Sequence, residues 1–476
     1  VLAFKGIRYG ADTAARRFMP ALKPTPWRGV VDAHEYGHAS PQSNTREAAS
    51  EDCLFLNVWT PSLKGKRTVM VYIHGGAYSG GSGSSPLYDG TQLCERGDVV
   101  VVTLNHRLNA FGYLSLGRFG RDEYADSGNA GMLDLVLALE WVRDNIERFG
   151  GDPANVMLFG QSGGGAKIAT LMAMPTAHGL FHRAATMSGQ QVTASGPLNA
   201  EHRAHVYLQV LDIDEKHLET LRDVPVEKLV AALIAVDPII GRGGVYFGPV
   251  LDERTLTRHP FYPDAPALSA SVPMIIGNTH DETRLLIGGG DPSTFNLDWS
   301  DLPVRLADQM RVDIEPKTVI AEYRRLYPQY SASDVFFSAT TAGRSWRAAI
   351  VEAELRAEQG SPAYAYQLDW ASPKDGGKWG APHTLDIPLV FGTIEQPESI
   401  TGTGEGAQHI GSQMSEAFIA FARTGNPNHS GIPKWEPYTL PRRQTMVFNN
   451  PSSLVDDPRG AERRLFAKVP FVQQGT

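Results

Sequence analysis

Asn155-Val156-Met157-Leu158-Phe159-Gly160-Gln161-Ser162-Gly163-Gly164-Gly165 runs a strand-like apolar stretch straight into a glycine-rich turn, and 165–174 then reads as a helix. Strand, G-x-S-x-G, helix is the context of a nucleophile elbow, in which a serine is held in a strained turn with its hydroxyl exposed for attack. Glycines two positions to either side let neighbouring segments pass close, and the turn aims the first N–H groups of the helix at a reacting carbonyl. The bland reading is a glycine-rich turn that happens to contain serine, a pattern common in a chain of 476 residues. The strand before and the helix after weigh against it. Glycine-rich loops also cradle phosphates, and Gly160 with Gly165 has Walker spacing. Yet Ala166 stands where a lysine must reach the phosphates, and Lys167 where a hydroxyl should ligand magnesium. A dinucleotide fingerprint fails as well, because Ser162 occupies its second glycine.

To either side, 68–73, 98–104, 273–276 and 363–368, like 155–159, read as short strands alternating with longer helical patterns. Val99-Val100-Val101-Val102 shows no alternation, as suits a parallel strand covered on both faces. An α/β layered architecture follows. The best helix spans 131–149 and ends at Gly150-Gly151; a second covers 412–422. Glycines clustered without period in 240–248 and 288–293 suggest loops near a cleft. No repeat and no long linker divides the chain, so one domain over 1–476 is expected.

Hydrophobic residues at 42% and charged residues at 20% are the balance of a soluble protein with a large buried core. The net charge of -8 offers nothing to neutralise a run of phosphates, so nucleic acid is a poor partner. No apolar run reaches the roughly 20 residues of a membrane span. Two cysteines, Cys53 and Cys94, exclude a disulfide scaffold or a cysteine metal cage. The sequence opens at Val1 without an initiator methionine, which leaves room for a removed signal peptide and leaves localisation open.

Thr68-Val69-Met70-Val71-Tyr72-Ile73 leads into His74-Gly75-Gly76-Ala77-Tyr78, a His-Gly-Gly loop of bare backbone suited to an oxyanion hole. The N–H groups of Gly76, Ala77 and Gly163 are the candidate donors. In the α/β-hydrolase architecture, a mostly parallel twisted central sheet with helices on both faces, an acid and then a histidine follow the serine in the chain. Asp281 and Glu282, beyond the strand 273–276, both qualify by chemistry. Of the later histidines, His409 enters a helical pattern and His429 follows a turn. His383, in a loop after the strand 363–368, is the natural base.

These residues resemble the type-B carboxylesterase family, which includes bacterial para-nitrobenzyl esterases and the cholinesterases. The likeness is carried by Phe4-Lys5-Gly6-Ile7-Arg8-Tyr9, Glu51-Asp52-Cys53-Leu54, His74-Gly75-Gly76-Ala77, Pro86-Leu87-Tyr88-Asp89-Gly90, Phe149-Gly150-Gly151-Asp152-Pro153, Gly248-Pro249-Val250-Leu251-Asp252 and Ile387-Pro388-Leu389-Val390-Phe391-Gly392. It implies a serine carboxylesterase that forms an acyl-enzyme on Ser162, with Glu282 orienting His383 and with no metal or organic cofactor. Amide, thioester or lipid hydrolysis with the same triad, and a binding module without catalysis, are the alternatives. The partner implied is a small-molecule ester; oligomeric state is not legible. Ion pairs Arg17–Glu51 and Arg107–Asp134 are also implied, and Gln161, Tyr78, Val245 and Phe247 are candidate pocket residues.

Departures from the family pattern carry expectations too. Gln161 replaces a carboxylate beside the nucleophile. Ser40 replaces the usual partner of Cys53, so Cys53 should be a free thiol, which favours the cytoplasm. The loop from Ser40 to Cys53 lacks the tryptophan with which cholinesterases hold a quaternary ammonium, so choline esters are disfavoured. Gly243, Gly244 and Val245, where cholinesterases place aromatics, suggest a roomier acyl site.

Overall fold

Side chains alternate across the central strands so that each strand feeds two cores. In the computed structural model, which describes residues 1–473 and residue 475, Val69, Val71 and Ile73 of one strand enter one apolar cluster while Met70 and Tyr72 enter another. The neighbouring Val100 and Val102 share the first cluster, and Val101 the second. A strand buried on both faces has no solvated side, which explains the unbroken valine run.

The strands are β1 (Leu2–Arg8), β2 (Phe55–Thr60), β3 (Arg67–Ile73), β4 (Val100–Leu104), β5 (Gly151–Gln161), β6 (Arg183–Met187), β7 (Met274–Thr279), β8 (Ala363–Leu368), β9 (Gln444–Phe448) and β10 (Ser453–Asp456). They form one sheet in the order β1-β2-β4-β3-β5-β6-β7-β8-β9-β10. Pairing is parallel from β4 through β9, and antiparallel where β1, β2 and β10 join at the two edges. The helices Ala130–Asn145 and Gly163–Leu171 pack into the first cluster, and Asp386–Phe391 with Glu405–Thr424 into the second. Helices therefore cover both faces. A third apolar cluster is built by the helices Leu302–Gln309, Pro316–Leu326 and Ala332–Thr341.

Several boundaries differ from the sequence reading. The helix read over 412–422 is Glu405–Thr424, so His409 lies inside it. The helix read over 131–149 is α-helical only as far as Asn145, and Ile146–Phe149 tightens into a 3₁₀ turn. The glycine stretch 288–293 is not a loop throughout, because Pro292–Asn296 forms a 3₁₀ turn in which the Asp291 carboxylate accepts from Ser293 N–H. Strands β1, β2, β6, β9 and β10 escaped the sequence reading.

Both implied ion pairs form. Arg17 Nη2 lies 2.5 Å from Glu51 Oε2, while Arg17 Nη1 donates to the carbonyls of Leu221 and Val224, each at 2.8 Å. Arg107 grips Asp134 with two bonds, Nη2 to Oδ1 at 2.6 Å and Nε to Oδ2 at 2.8 Å. All four residues are buried. A buried pair of this kind is costly to break, since removing one partner strands the other charge. Cys53 and Cys94 are buried free thiols.

Candidate active site

Parallel strands bring all their C-terminal ends to one edge of the sheet, and the loops that leave those ends build the site. From β5 the chain turns through Ser162 at φ 56°, ψ -127°, a left-handed conformation that costs a non-glycine residue energy. The turn is pinned by Ser162 N–H donating to Met187 O at 2.7 Å and by Ala166 N–H donating to Ser162 O at 3.1 Å. A Cβ at Gly164 would lie 1.9 Å from Ile73 O, and one at Gly189 would lie 1.7 Å from Ser162 O. Only bare backbone fits on both sides of this serine.

From β3 the chain enters the His-Gly-Gly loop, with Gly76 at φ 84° and Ala77 at φ 51°. This loop abuts the elbow: a Cβ at Gly163 would lie 2.1 Å from Ala77 O. The amides of Gly76 and Ala77 make no hydrogen bond among the described residues, and Gly163 heads the helix Gly163–Leu171, where N–H groups lack intrahelical acceptors. Behind the loop, the buried Lys167 Nζ donates to Ala77 O at 2.7 Å and to His74 O at 3.2 Å. Burial alone lowers its ammonium to about 7. The rings of His74 and His106 stack 4.8 Å apart. Burial, then Lys167, lowers His74 to about 3, so it is a neutral packing group whose Nδ1–H donates to Gly75 O at 2.9 Å.

From β7, Asp281 and Glu282 point to different partners. Glu282 Oε2 accepts a short hydrogen bond from His383 Nδ1, while its Oε1 accepts from Thr279 N at 3.0 Å. Asp281 braces the loop that carries the histidine: its Oδ2 accepts from Ala381 N at 2.9 Å, and its own N–H donates to Ala381 O at 2.8 Å. The geometry thus separates two acids that the sequence left equivalent by chemistry. A further buried carboxyl, Asp386, follows three residues after His383, accepts from Tyr366 OH at 2.7 Å and is pushed up to about 6 by burial.

Ser162 and His383 line one cavity of about 430 Å³, together with Ala77, Gly163 and Tyr78. The Tyr78 hydroxyl donates to Gln191 Oε1 at 3.0 Å. Three pocket expectations need correction. Val245 and Phe247 do not line this cavity: both are buried in the first apolar cluster, Phe247 edge-on to Tyr207 at 5.4 Å, and it is Tyr246 between them that faces the cavity. Alternation along an extended segment sends neighbours to opposite sides, so the reading was off by one position. Gln161 is buried behind the lining. Its Nε2 sits 3.2 Å and 3.4 Å from the two ring nitrogens of His383, a placement over the imidazole face and not on either lone pair. Sequence reasoning missed Lys167, Tyr246, the glutamines Gln190 and Gln191, and the outer wall at 343–345 and 471–473. Only Lys167 left a local signal, as a cation in an otherwise apolar helix.

A strained serine at the head of a helix, a loop of free amides against it, and a carboxylate-bonded histidine on the same cavity define a serine hydrolase of the α/β-hydrolase fold. The chain belongs to the carboxylesterase family, whose model matches residues 1–466, and it is a carboxylic ester hydrolase. It is 35% identical to the para-nitrobenzyl esterase of Bacillus subtilis over 97% of this chain and 94% of that one. It is 32% identical to the phenmedipham hydrolase of Pseudarthrobacter oxydans over 96% of this chain and 92% of the other. A carboxylesterase crystal structure from Geobacillus stearothermophilus superposes with a TM-score of 0.88 at 37% identity, covering 98% of this chain and 96% of that one. Among the described residues, no helix is long and apolar enough to cross a membrane.

Proposed function

We propose that residues 1–476 act as one catalytic domain in which Ser162, His383 and Glu282 hydrolyse small-molecule carboxylic esters through an acyl-enzyme. Ser162 Oγ attacks the ester carbonyl as His383 Nε2 takes its proton, and the N–H groups of Gly76, Ala77 and Gly163 receive the developing oxyanion. The tetrahedral intermediate collapses as His383 gives that proton to the leaving alcohol. Water, deprotonated by the same ring, then attacks the acyl carbon, and the second collapse returns Ser162 with its proton. Glu282 holds the Nδ1–H tautomer and offsets the positive charge of the imidazolium.

The hydrogen bond from His383 to Glu282, made at the wall of the cavity that contains Ser162, is the observation that carries this reading. Its test is steady-state turnover of p-nitrophenyl butyrate by Ser162→Ala. The variant should lose about 10⁴-fold or more in kcat while still binding substrate. Turnover near that of the parent protein would end the assignment.

A further inference from the structure

Part of the cavity wall comes from two segments that press on each other: a Cβ at Gly343 would lie 2.7 Å from Met310 O and 3.5 Å from Val312. Each delivers an arginine to the lining, Arg311 from one and Arg344 from the other. Arg344 sits in a π-helical turn, Ala342–Trp346, at the non-helical angles φ -113°, ψ -115°. Such turns interrupt a helix and re-aim a side chain. Arg311, at φ 56°, is in a left-handed conformation. Arg242 lies beside them on the neighbouring loop.

Among the described residues, nothing acidic neutralises this group. Arg344 donates to Gln309, through Nε to the carbonyl at 3.0 Å and through Nη2 to Oε1 at 2.6 Å. Arg242 donates to the Asp308 carbonyl at 2.6 Å. The Arg311 guanidinium makes no hydrogen bond, and none of the three is within ion-pair distance of a carboxylate among the described residues. Arg344 is half-buried and Arg311 exposed, whereas of the five fully buried arginines among the described residues Arg17, Arg107, Arg203 and Arg459 are each paired with an acid and Arg356 is held by the Ser269 carbonyl and Gln359. Desolvation, then Arg242, depresses Arg311 to about 10, and desolvation, then Arg311 and Arg242, depresses Arg344 to about 9. Guanidinium groups keep their charge under such pressure, so a positive potential stays focused in the cavity. The chain as a whole carries -8, which makes the local excess more distinct.

We propose that Arg311 and Arg344, backed by Arg242, form a carboxylate-binding subsite in the wall of the Ser162 cavity, so that favoured substrates are esters bearing a carboxylate remote from the scissile bond, such as hemiesters of dicarboxylic acids. This inference rests on the reading of that cavity as the hydrolytic site. The apolar lining from Leu286, Ala348, Phe471 and Val472 would take the methylene chain between ester and acid. A guanidinium fork supplies two parallel donors that match a carboxylate, and among the described residues Arg311 has all of its donors unused.

The test compares kcat/KM for p-nitrophenyl hydrogen adipate with that for p-nitrophenyl hexanoate, two esters alike in acyl length and leaving group. The intact protein should favour the adipate, with a preference that shrinks as salt is added. In Arg311→Gln and in Arg344→Gln the adipate-to-hexanoate ratio should fall about tenfold. Arg311→Gln breaks no hydrogen bond, so it separates loss of the subsite from loss of fold; Arg311→Glu should shift preference toward the 6-aminohexanoate ester. A ratio below one in the intact protein, or one that stays put in both glutamine variants, overturns the subsite. If Ser162→Ala still hydrolyses the hexanoate, the parent reading fails instead.

Discussion

Lys167 is a cation buried without a carboxylate, held by the carbonyls on either side of Gly75-Gly76. Its two bonds fix the peptide planes that flank the two carrying the amides of Gly76 and Ala77, so it clamps the loop at both ends and acts as a positioning residue. Lys167→Met should therefore lower kcat by about tenfold with a much smaller change in KM, because a tilted amide loses oxyanion stabilisation before it loses substrate binding. Equal effects on kcat and stability, with KM rising in step, would point to packing alone. Glu352 offers a test by pH. It is buried, its Oε1 accepts from Gln191 N at 2.9 Å, its Oε2 has no partner among the described residues, and burial pushes the carboxyl up to about 8. A raised acid binds its proton more tightly in the folded state, so the stability it contributes is whole below its unfolded value and is lost as pH climbs through 8. Between pH 5 and pH 8.5, Glu352→Gln should gain ~2 kcal/mol or more on the parent protein in denaturant unfolding. At this scale the sequence was most legible where backbone demands a residue type. Ser162 and Gly76 could be named from motifs, whereas Glu282 was separated from Asp281 only by family likeness, since both carboxyls sit at one strand end.

The strand-turn-helix unit around Ser162 works because three backbones meet where no side chain fits. Gly189→Ala would drive a Cβ into Ser162 O, so it should abolish esterase activity and lower the unfolding free energy by more than ~3 kcal/mol. Normal activity in a stable Gly189→Ala protein would contradict this account of the elbow. Elements buried on both faces announced themselves by unbroken apolar runs, as in β4. Those that were missed have reasons of their own. Strand β6, Arg183-Ala184-Ala185-Thr186-Met187, is poor in β-formers and is a strand because β5 and β7 flank it. Strand β1 is half-exposed and charged, held at the sheet edge by antiparallel pairing with β2. The start of Glu405–Thr424 was hidden by Gly406 and by the polar residues of its first turn.

Across the whole molecule, the site is an assembly of strand ends far apart in sequence, from Ala77 to His383, and the parallel block is what brings them to one edge. The motif-bearing floor of the cavity could be read from the sequence for that reason. The outer wall could not, because 343–345 and 471–473 arrive there only by tertiary packing of helices and of the C-terminal segment. A cavity of about 430 Å³ is wide for an acetyl group, so along p-nitrophenyl esters from acetate to decanoate, kcat/KM should rise past butyrate before it falls. A steady decline from acetate onward would show the acyl side to be closed. The central claim is that one serine hydroxyl, and no other group, is made nucleophilic here. Labelling with a fluorophosphonate followed by peptide mass mapping tests it most directly. The account predicts one covalent phosphonyl adduct, on the peptide containing Ser162, that is lost in Ser162→Ala and formed far more slowly in His383→Ala; an unlabelled Ser162 peptide in active protein, or an adduct on another residue, would contradict it.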